Sequence, residues 1–507
     1  MSALPDMLPY RALATDLRAL APVARGITAD SRKVGPGDIF LAHPGKVHDG
    51  RAHIAQAIHA GAAAVVWEPE GWAWDEGWHV PHLPLAGLTG RAALLAAAWH
   101  GEPSAALWMA GVTGTNGKTS VAHWLAAART ALHHKTATIG TIGNGFVDAD
   151  GQVAGELAHA SHTTPDAVSL QGLLAGYRDA GATGVAMEVS SHGLDQGRVE
   201  GVAFDVAVFT NLSRDHLDYH GDMASYAAAK SRLFHWPGLA WAVLNGDDEL
   251  GVALAGQLRG GRCQVLSYGL KSGELRAEKC HASRQGLRLE IVSPWGPGEL
   301  VSPLLGEFNA YNLLAALGAL LAGGIPLADA LGTLGRVRPV AGRMQRVAAE
   351  GEGPTVIVDF AHTPDALEKV LLALKPLTSG RLICVFGCGG GRDTGKRPLM
   401  GAAVAAVADR AIVTSDNPRN EEPARIIADI LAGMPPGQEA LVDRRAAILG
   451  AILGAGAEDI VVLAGKGHED YQEVQGVKHP FSDFAEARAA LGQRAGRASA
   501  RNAHASV

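Results

Sequence analysis

The sequence predicts an α/β fold in three domains, two of them built on mostly parallel sheets, and three observations carry that expectation. At 507 residues the chain is too long for one hydrophobic core. Glycine is abundant at 64 residues while aromatics make up only 5%, which favours layers where helices lie close on strands over an aromatic-rich sandwich. Short apolar runs alternate with stretches of helical spacing along nearly the whole length, and polar residues follow the runs.

The first hundred residues read as a small α/β unit. GDIFLAHPG and AAAVVWEP are strand-like, and HIAQAIHAGAAA between them has helical spacing. The segment AALLAAAWHGEPSAALWMAGVTG then runs through a helix and a turn into a strand at Leu107–Ala110, which ends in a glycine-rich loop before the helix SVAHWLAAARTAL. GVAMEV, FDVAVFT and AWAVLN are further strands, and NLLAALGALLAGG is a helix that closes this region. After VRPVAGRMQRV the alternation starts afresh with TVIVDF, RLICVFG, RAIVTSD and DIVVLAG. The expected domains are therefore 1–100, 101–336 and 337–492. The tail 493–507, QRAGRASARNAHASV, lacks hydrophobic periodicity and is expected to be disordered.

Bulk properties exclude several classes. A net charge of -7 leaves no basic excess for a general nucleic-acid binder. Four cysteines (Cys263, Cys280, Cys384 and Cys388) include no CxxC pair and read as buried or incidental thiols. Neither a basic, apolar leader nor an apolar run of membrane-spanning length is visible. Cytoplasmic location, without membrane insertion, is the expectation.

The most informative stretch is Gly111–Ser120, GVTGTNGKTS. A strand, a glycine loop and a helix in succession make a phosphate cradle, which marks the central unit as a P-loop ATPase domain. Gly111, Gly114 and Gly117 are expected to let the backbone turn and aim its N–H groups at phosphate. Lys118 would meet the outer phosphates and Thr119 would offer its hydroxyl to magnesium. Val112 stands where the common GxxxxGK[ST] pattern has its first glycine, which here comes one residue earlier. A plain glycine turn is the competing reading, and Gly-Lys-Thr at a helix start argues against it.

Two further loops follow apolar strands: MEVSSHGL, with Glu188, and NLSRDHLDYHG, with His216. Both should emerge on the phosphate edge of the sheet, where an oxygen or imidazole donor becomes a candidate magnesium ligand. Taken singly, each is equally well a capping or surface residue. Lys230, in YAAAKSRLF, reads from spacing alone as a solvated helix lysine.

GVTGTNGKTS, MEVSSHGL, NLSRDHLDYHG, GEFNAYN, GRMQRV and DFAHTPDAL, in this order, resemble the Mur ligase family of peptidoglycan synthesis over roughly residues 25 to 480. HTTPDA, GCGGGRDTGKRPLM, SDNPRNEEP and GKGHEDYQ bring the resemblance closer to its diaminopimelate-adding branch. That resemblance implies a C-terminal Rossmann-like domain and ATP-driven amide formation through an acyl phosphate. It implies UDP-N-acetylmuramoyl-L-Ala-D-Glu and meso-diaminopimelate as partners of ATP; a monomer is the separate expectation.

The resemblance also implies residue roles. Thr119, Glu188, His216 and a carbamylated Lys230 would serve two magnesium ions. Gly114, Thr115, Asn116, Gly117, Lys118, Thr119 and Ser120 would hold ATP, with Asn312 near adenine, Arg343 on phosphate and Asp359 towards the ribose. Ser31, Thr163, Thr164, Ser190, Gln196 and Arg198 would bind the UDP-muramyl dipeptide, whereas His162 receives no role and uridine contacts around Lys46–His48 stay open. Arg419, within Asp416-Asn417-Pro418-Arg419, would grip the distal carboxylate of diaminopimelate with Arg392, and Gly465 and Glu469 would complete that pocket, Glu469 facing the distal ammonium. Folylpolyglutamate synthase and the D-alanyl-D-alanine-adding ligase are the nearest enzymatic alternatives and should lack the paired DNPR and GKGHE. A P-loop switch or transport ATPase, from another class, would turn over ATP with no acceptor.

Overall fold

The computed structural model describes residues 6–45, 48–151, 162–283, 285–348 and 353–505, with side chains to 496. Near the N-terminus the strands Gly26–Thr28, Asp38–Ala42, Ala64–Trp67 and His82–Pro84 form a parallel sheet in chain order. The two middle strands are apolar nearly throughout because both faces are covered. Leu17 of helix Leu8–Leu20 and Leu88, Ala92 and Leu95 of helix Leu88–Trp99 pack on one face, and Ile54 and Ala57 of helix Ile54–His59 pack on the other. The two outer strands, three residues each, are too short to show in the hydrophobic pattern.

A ten-stranded sheet follows. From edge to edge it runs Gly296–Ser302, Gly286–Ser293, Leu275–Ser283, Gln264–Gly269, Trp241–Asn245, Val206–Phe209, Trp108–Thr113, Gly184–Glu188, Thr136–Gly140 and Gly143–Phe146. The seven strands from Leu275–Ser283 to Thr136–Gly140 are parallel. Antiparallel pairs flank them on both sides. From Trp108–Thr113 the chain winds first to one side and then crosses to the other. The glycine loop after that strand thus sits at the switch point, where parallel sheets bind ligands. Helix Glu307–Ala322 is buried almost all round, since it packs on Val243, Leu266 and Leu275 of the sheet and on helix Lys118–Ala131.

The last sheet runs Gln345–Val347, Thr355–Asp359, Ile460–Ala464, Leu382–Phe386, Arg410–Thr414 and Glu439–Leu441, antiparallel only at its first pair. Helices Pro364–Leu374, Lys396–Val407 and Pro423–Leu431 cover one face, and Arg444–Leu453 and Asp483–Ala505 cover the other. A hairpin, Tyr471–Val474 and Val477–Pro480, stands beside it. The expectation of a disordered tail is corrected for its described part, because helix Asp483–Ala505 runs on into it as far as Ala505. Alanine and arginine lose little freedom in a helix, so this stretch can continue one without a hydrophobic stripe. No helix among the described residues is long and apolar enough to cross a membrane.

Candidate active site

The carboxyl ends of the second and third sheets face one another across a cleft of about 1330 Å³. Contacts that cross it include Asn116 Nδ2 to Asp365 Oδ2 at 3.2 Å, Arg343 Nη2 to Thr119 Oγ1 at 3.1 Å, and Arg214 Nη2 to Asp393 Oδ2 at 3.3 Å.

The glycine loop forms one wall. Gly114 and Gly117 have φ of 142° and 88°, the left-handed region open to glycine, and side chains there would strike Thr210 and Asn312 respectively. Gly111 corrects the sequence reading. It lies inside strand Trp108–Thr113, where a Cβ would come within 2.9 Å of the Phe204 ring, so it serves close packing and not the turn. The loop is braced from behind by NLSRD: Asn211 Oδ1 accepts from Asn116 N at 3.1 Å, and Thr115 Oγ1 donates to Ser213 O at 3.1 Å. These props belong to a motif in which the sequence reading gave a role only to His216.

Lys118 arches back over the loop and donates to the carbonyls of Gly114 and Thr115 at 2.9 and 2.8 Å. Lys230 reaches the same Gly114 carbonyl at 2.8 Å, with its ammonium 4.4 Å from the Tyr226 ring centre. It is 1% exposed, so the solvated helix lysine suggested by spacing is overturned. Burial, reinforced by the charge of Lys118, lowers the Lys230 pKa well below that of an ordinary lysine.

Thr119 Oγ1 donates to Glu188 Oε2 at 3.0 Å, and Thr141 N donates to Glu188 Oε1 at 2.7 Å. Thr141 was not anticipated; it also touches Thr163 Oγ1 at 3.1 Å, joining the phosphate end to the HTTPDA loop. A hydroxyl and a carboxylate converging beside Lys118 are hard oxygen donors and suit magnesium, which commonly takes one or two carboxylates plus substrate phosphates. Among the described residues no trio of His, Cys, Asp or Glu converges on a point, as such a phosphate-dependent site does not require one.

His216 lies at φ 55°, with Asp215 Oδ2 3.4 Å from its Nε2. Burial pushes the His216 pKa down to about 3 against the pull of Asp215. Asp215, absent from the sequence reading, also faces Lys396 Nζ at 3.7 Å and His362 Nε2 at 3.8 Å, both from the opposite wall. Burial opposes its charge, but His216, His362 and Lys396 together hold its carboxyl far below the usual range.

Asn312 lines the cleft against Gly117, as does Ser120. The Arg343 guanidinium lies 4.3 Å from the Phe360 ring centre. Asp359 lines the cleft too, yet its two oxygens accept from Met344 N and Ala361 N, each at 2.7 Å, so its evident work is bracing that turn. Of the residues expected to bind the dipeptide, Thr163, Ser190, Gln196 and Arg198 line the cleft, as does His162. Thr164 is buried behind them and donates to Glu188 O at 2.9 Å, while Arg198 Nη1 holds Thr164 O at 2.8 Å. Ser31 stands apart, with its hydroxyl 3.5 Å from Gln56 Oε1. Of Lys46–His48, only His48 lies among the described residues.

The third sheet supplies the other wall. Arg392, Asp416, Asn417, Arg419, Gly465 and Glu469 line the cleft, whereas Pro418 does not. Arg419 holds φ 53°, an uncommon backbone for arginine, and is pinned by Arg419 N to Glu473 O at 3.0 Å and Gln475 N to Arg419 O at 2.7 Å. Its Nη1 donates to Gly390 O at 2.6 Å. Asn417 Nδ2 donates to Glu469 Oε2 at 2.8 Å, and the fully buried Lys466 donates to Asn417 Oδ1 and Glu469 Oε2 at 3.0 and 2.9 Å. Burial and then Asp416 push the Glu469 pKa up, against Lys466. Gln472 Nε2 donates to Asp416 O at 2.6 Å. Lys466 and Gln472 stand in quoted motifs, but only the structure gives them partners. Cys384 and Cys388 are buried, their thiols pushed up to about 12 by burial; Cys388 lies in the cleft wall between Gly387 and Gly389, whereas Cys384 does not line it.

A phosphate loop facing a wall of fixed carboxylates and guanidinium groups defines an ATP-using ligase. The chain belongs to the Mur ligase family: the profile for the Mur ligase family catalytic domain matches residues 23–98, that for the middle domain 112–320, and that for the glutamate ligase domain 342–467. It is 50% identical over 495 residues, 97% of this chain and 98% of the relative, to the UDP-N-acetylmuramoyl-L-alanyl-D-glutamate–2,6-diaminopimelate ligase of Chromobacterium violaceum. The identity is 51% to the enzyme of the same name from Pseudomonas aeruginosa, over 92% of this chain and 95% of that one. A solved structure bearing this name aligns with TM-score 0.64 at 37% identity, covering 94% of this chain and 98% of the other. A MurF structure from Acinetobacter baumannii, with TM-score 0.67 at 19% identity over 91% of this chain and 95% of its own, shares the fold.

Proposed function

We propose that this ligase joins meso-diaminopimelate to the D-glutamate of UDP-N-acetylmuramoyl-L-Ala-D-Glu, at the expense of ATP, in peptidoglycan precursor synthesis. The carrying observation is that the phosphate loop and the Asn417–Lys466–Glu469 network open into one cleft, in a chain about half identical to ligases of that name. The first hundred residues would hold the UDP-sugar, 101–336 ATP, and 337–492 the amino acid. The acceptors are small molecules, with no role for nucleic acid or membrane, and the enzyme is read as a cytoplasmic monomer.

A carboxylate resists amines because its leaving group would be oxide. In the first step a D-glutamate carboxylate oxygen bonds to the γ-phosphorus and the bond to ADP breaks. In the second the diaminopimelate amine bonds to the acyl carbon and phosphate departs, the amine losing a proton. Lys118 and Arg343 neutralise phosphate charge, the loop amides orient it, and the walls keep water from the acyl phosphate. Thr119 and Glu188 would hold magnesium, with His216 and Lys230 at a second position, and the metal would further neutralise charge on the phosphate oxygens. Lys230 suits that task because a buried, neutral amine can add carbon dioxide, releasing a proton and leaving an anionic oxygen donor. Arg419 and Arg392 grip the distal carboxylate of diaminopimelate, and Glu469 its ammonium. Lysine lacks that carboxylate and would forgo the paired hydrogen bonds to Arg419, whose partly exposed guanidinium otherwise faces only Glu473 at 3.5 Å and the Gly390 carbonyl.

Phosphate release measured with the UDP-muramyl dipeptide and a panel of amino acids tests this. Turnover is expected with meso-diaminopimelate and at most weakly with L-lysine. Equal turnover with both would remove the specificity, and ATP hydrolysis indifferent to the acceptor would favour a switch ATPase.

A further inference from the structure

Beneath the third-sheet wall, away from the cleft, lies an ion pair between Arg444 and Asp483, both side chains fully buried. Arg444 opens helix Arg444–Leu453 and Asp483 opens helix Asp483–Ala505. The guanidinium donates Nε to Asp483 Oδ1 at 2.7 Å and Nη2 to Asp483 Oδ2 at 2.6 Å. Its remaining capacity goes to two backbone carbonyls: Nη2 to Ala464 O at 2.9 Å and Nη1 to Ser415 O at 3.4 Å.

Those carbonyls are not arbitrary. Ala464 ends strand Ile460–Ala464 and immediately precedes Gly465-Lys466; Ser415 follows strand Arg410–Thr414 and immediately precedes Asp416-Asn417. The two strands are not neighbours, because Leu382–Phe386 lies between them. No ladder hydrogen bond therefore fixes one exit relative to the other. Arg444 spans that gap and ties both exits to one planar group. Its charge also favours the ionised form of Asp416, whose buried carboxylate is held low by Lys466 and Arg444 against the cost of burial.

We propose that Arg444, clamped by Asp483, is a positioning residue that sets the spacing of the Asp416–Arg419 and Gly465–Glu469 loops and thereby the enzyme's selectivity for a diamino dicarboxylic acid. This rests on the functional reading above, and wild-type turnover with meso-diaminopimelate tests that reading separately. Removing one partner would strand a buried charge and endanger folding, whereas replacing both with apolar groups of similar size is often tolerated. The decisive variant is accordingly Arg444→Met with Asp483→Leu. The expected result is a folded enzyme whose KM for meso-diaminopimelate rises about 10-fold or more, with KM for ATP within about twofold and weaker discrimination against L-lysine. A KM for diaminopimelate unchanged in the folded variant would overturn the proposal, and so would KM values for all substrates rising together. If the double variant does not fold, Arg444→Lys decides on the same split, because lysine keeps the ion pair but cannot hold both carbonyls in one rigid plane.

Discussion

The two walls of the cleft solve similar problems by different means. The phosphate wall is built largely from one short stretch: backbone amides of Gly114–Ser120, turned by glycines, with Lys118 alongside. The wall proposed to take the amino acid is built from side chains that hold one another across four separate segments, Gly387–Arg392, Asp416–Arg419, Gly465–Glu469 and the hairpin from Tyr471. Phosphate is the same in every nucleotide, so a contiguous backbone cradle suffices. Telling one diamino acid from another requires fixed charges at fixed separations, which only a cross-braced network supplies.

The largest effect should come from the phosphate wall. Lys230→Met fills a similar buried volume but can neither donate to Gly114 O nor add carbon dioxide, and turnover should fall at least about 100-fold with little change in melting temperature. Lys230→Arg should be as poor, since a guanidinium stays protonated. An arginine variant with a tenth of normal turnover would mean that a cation alone is enough at this position. Steady-state rates with thermal unfolding of both variants separate the outcomes.

On the opposite wall the loss should appear in one substrate only. Arg419→Ala should raise KM for meso-diaminopimelate by about 10- to 100-fold and leave KM for ATP within about twofold. Equal changes in both would mean that the walls are coupled through Arg343–Thr119 and not separable.

This contrast also explains how much the sequence revealed. The glycine loop, the strands around it and the four central strands of the last sheet were legible because each is local, with residues close in sequence doing one job. The meander Leu275–Ser302 was not anticipated, although Gly286–Ser293 buries alternate residues on a period of two. Its signal is short and its partners lie in the same meander, outside the βα rhythm. Gly111 was misread because a packing glycine and a turning glycine are the same letter; only Phe204, 93 positions away, distinguishes them. Asp215, Lys466 and Arg444 were not given roles for a related reason. A buried charge is recognised by its partners, and those come from other segments.

A gentler effect concerns pH. Burial and Asp416 raise the Glu469 pKa, so this carboxylate takes up its proton at a higher pH than a free glutamate. The sign follows: as pH falls through that raised value Glu469 loses the charge that would face the distal ammonium, and KM for diaminopimelate should climb. Stability moves the other way, because a group with a raised folded-state pKa favours folding in its protonated form and loses that contribution as pH rises. KM followed as pH is lowered from neutrality should rise in the wild type and stay nearly flat, at a higher level, in Glu469→Gln. A slope retained in the variant would assign the titration elsewhere.

The smallest change separates turning from packing within the glycine loop itself. Gly111 has no positive φ, and its missing side chain makes room for Phe204 and Val189, at 2.9 and 3.2 Å from where a Cβ would stand. Gly111→Ala should therefore act as overpacking, costing about 1–3 kcal/mol as those side chains shift, with KM for ATP within about twofold. Gly114→Ala, at φ 142° against Thr210, should instead distort the cradle and weaken ATP binding. Thermal unfolding and ATP titration of the two variants give the answer in opposite columns. A Gly111→Ala enzyme with normal stability and poor ATP binding would return that glycine to the turn, and the phosphate wall would then begin three residues earlier than the backbone angles indicate.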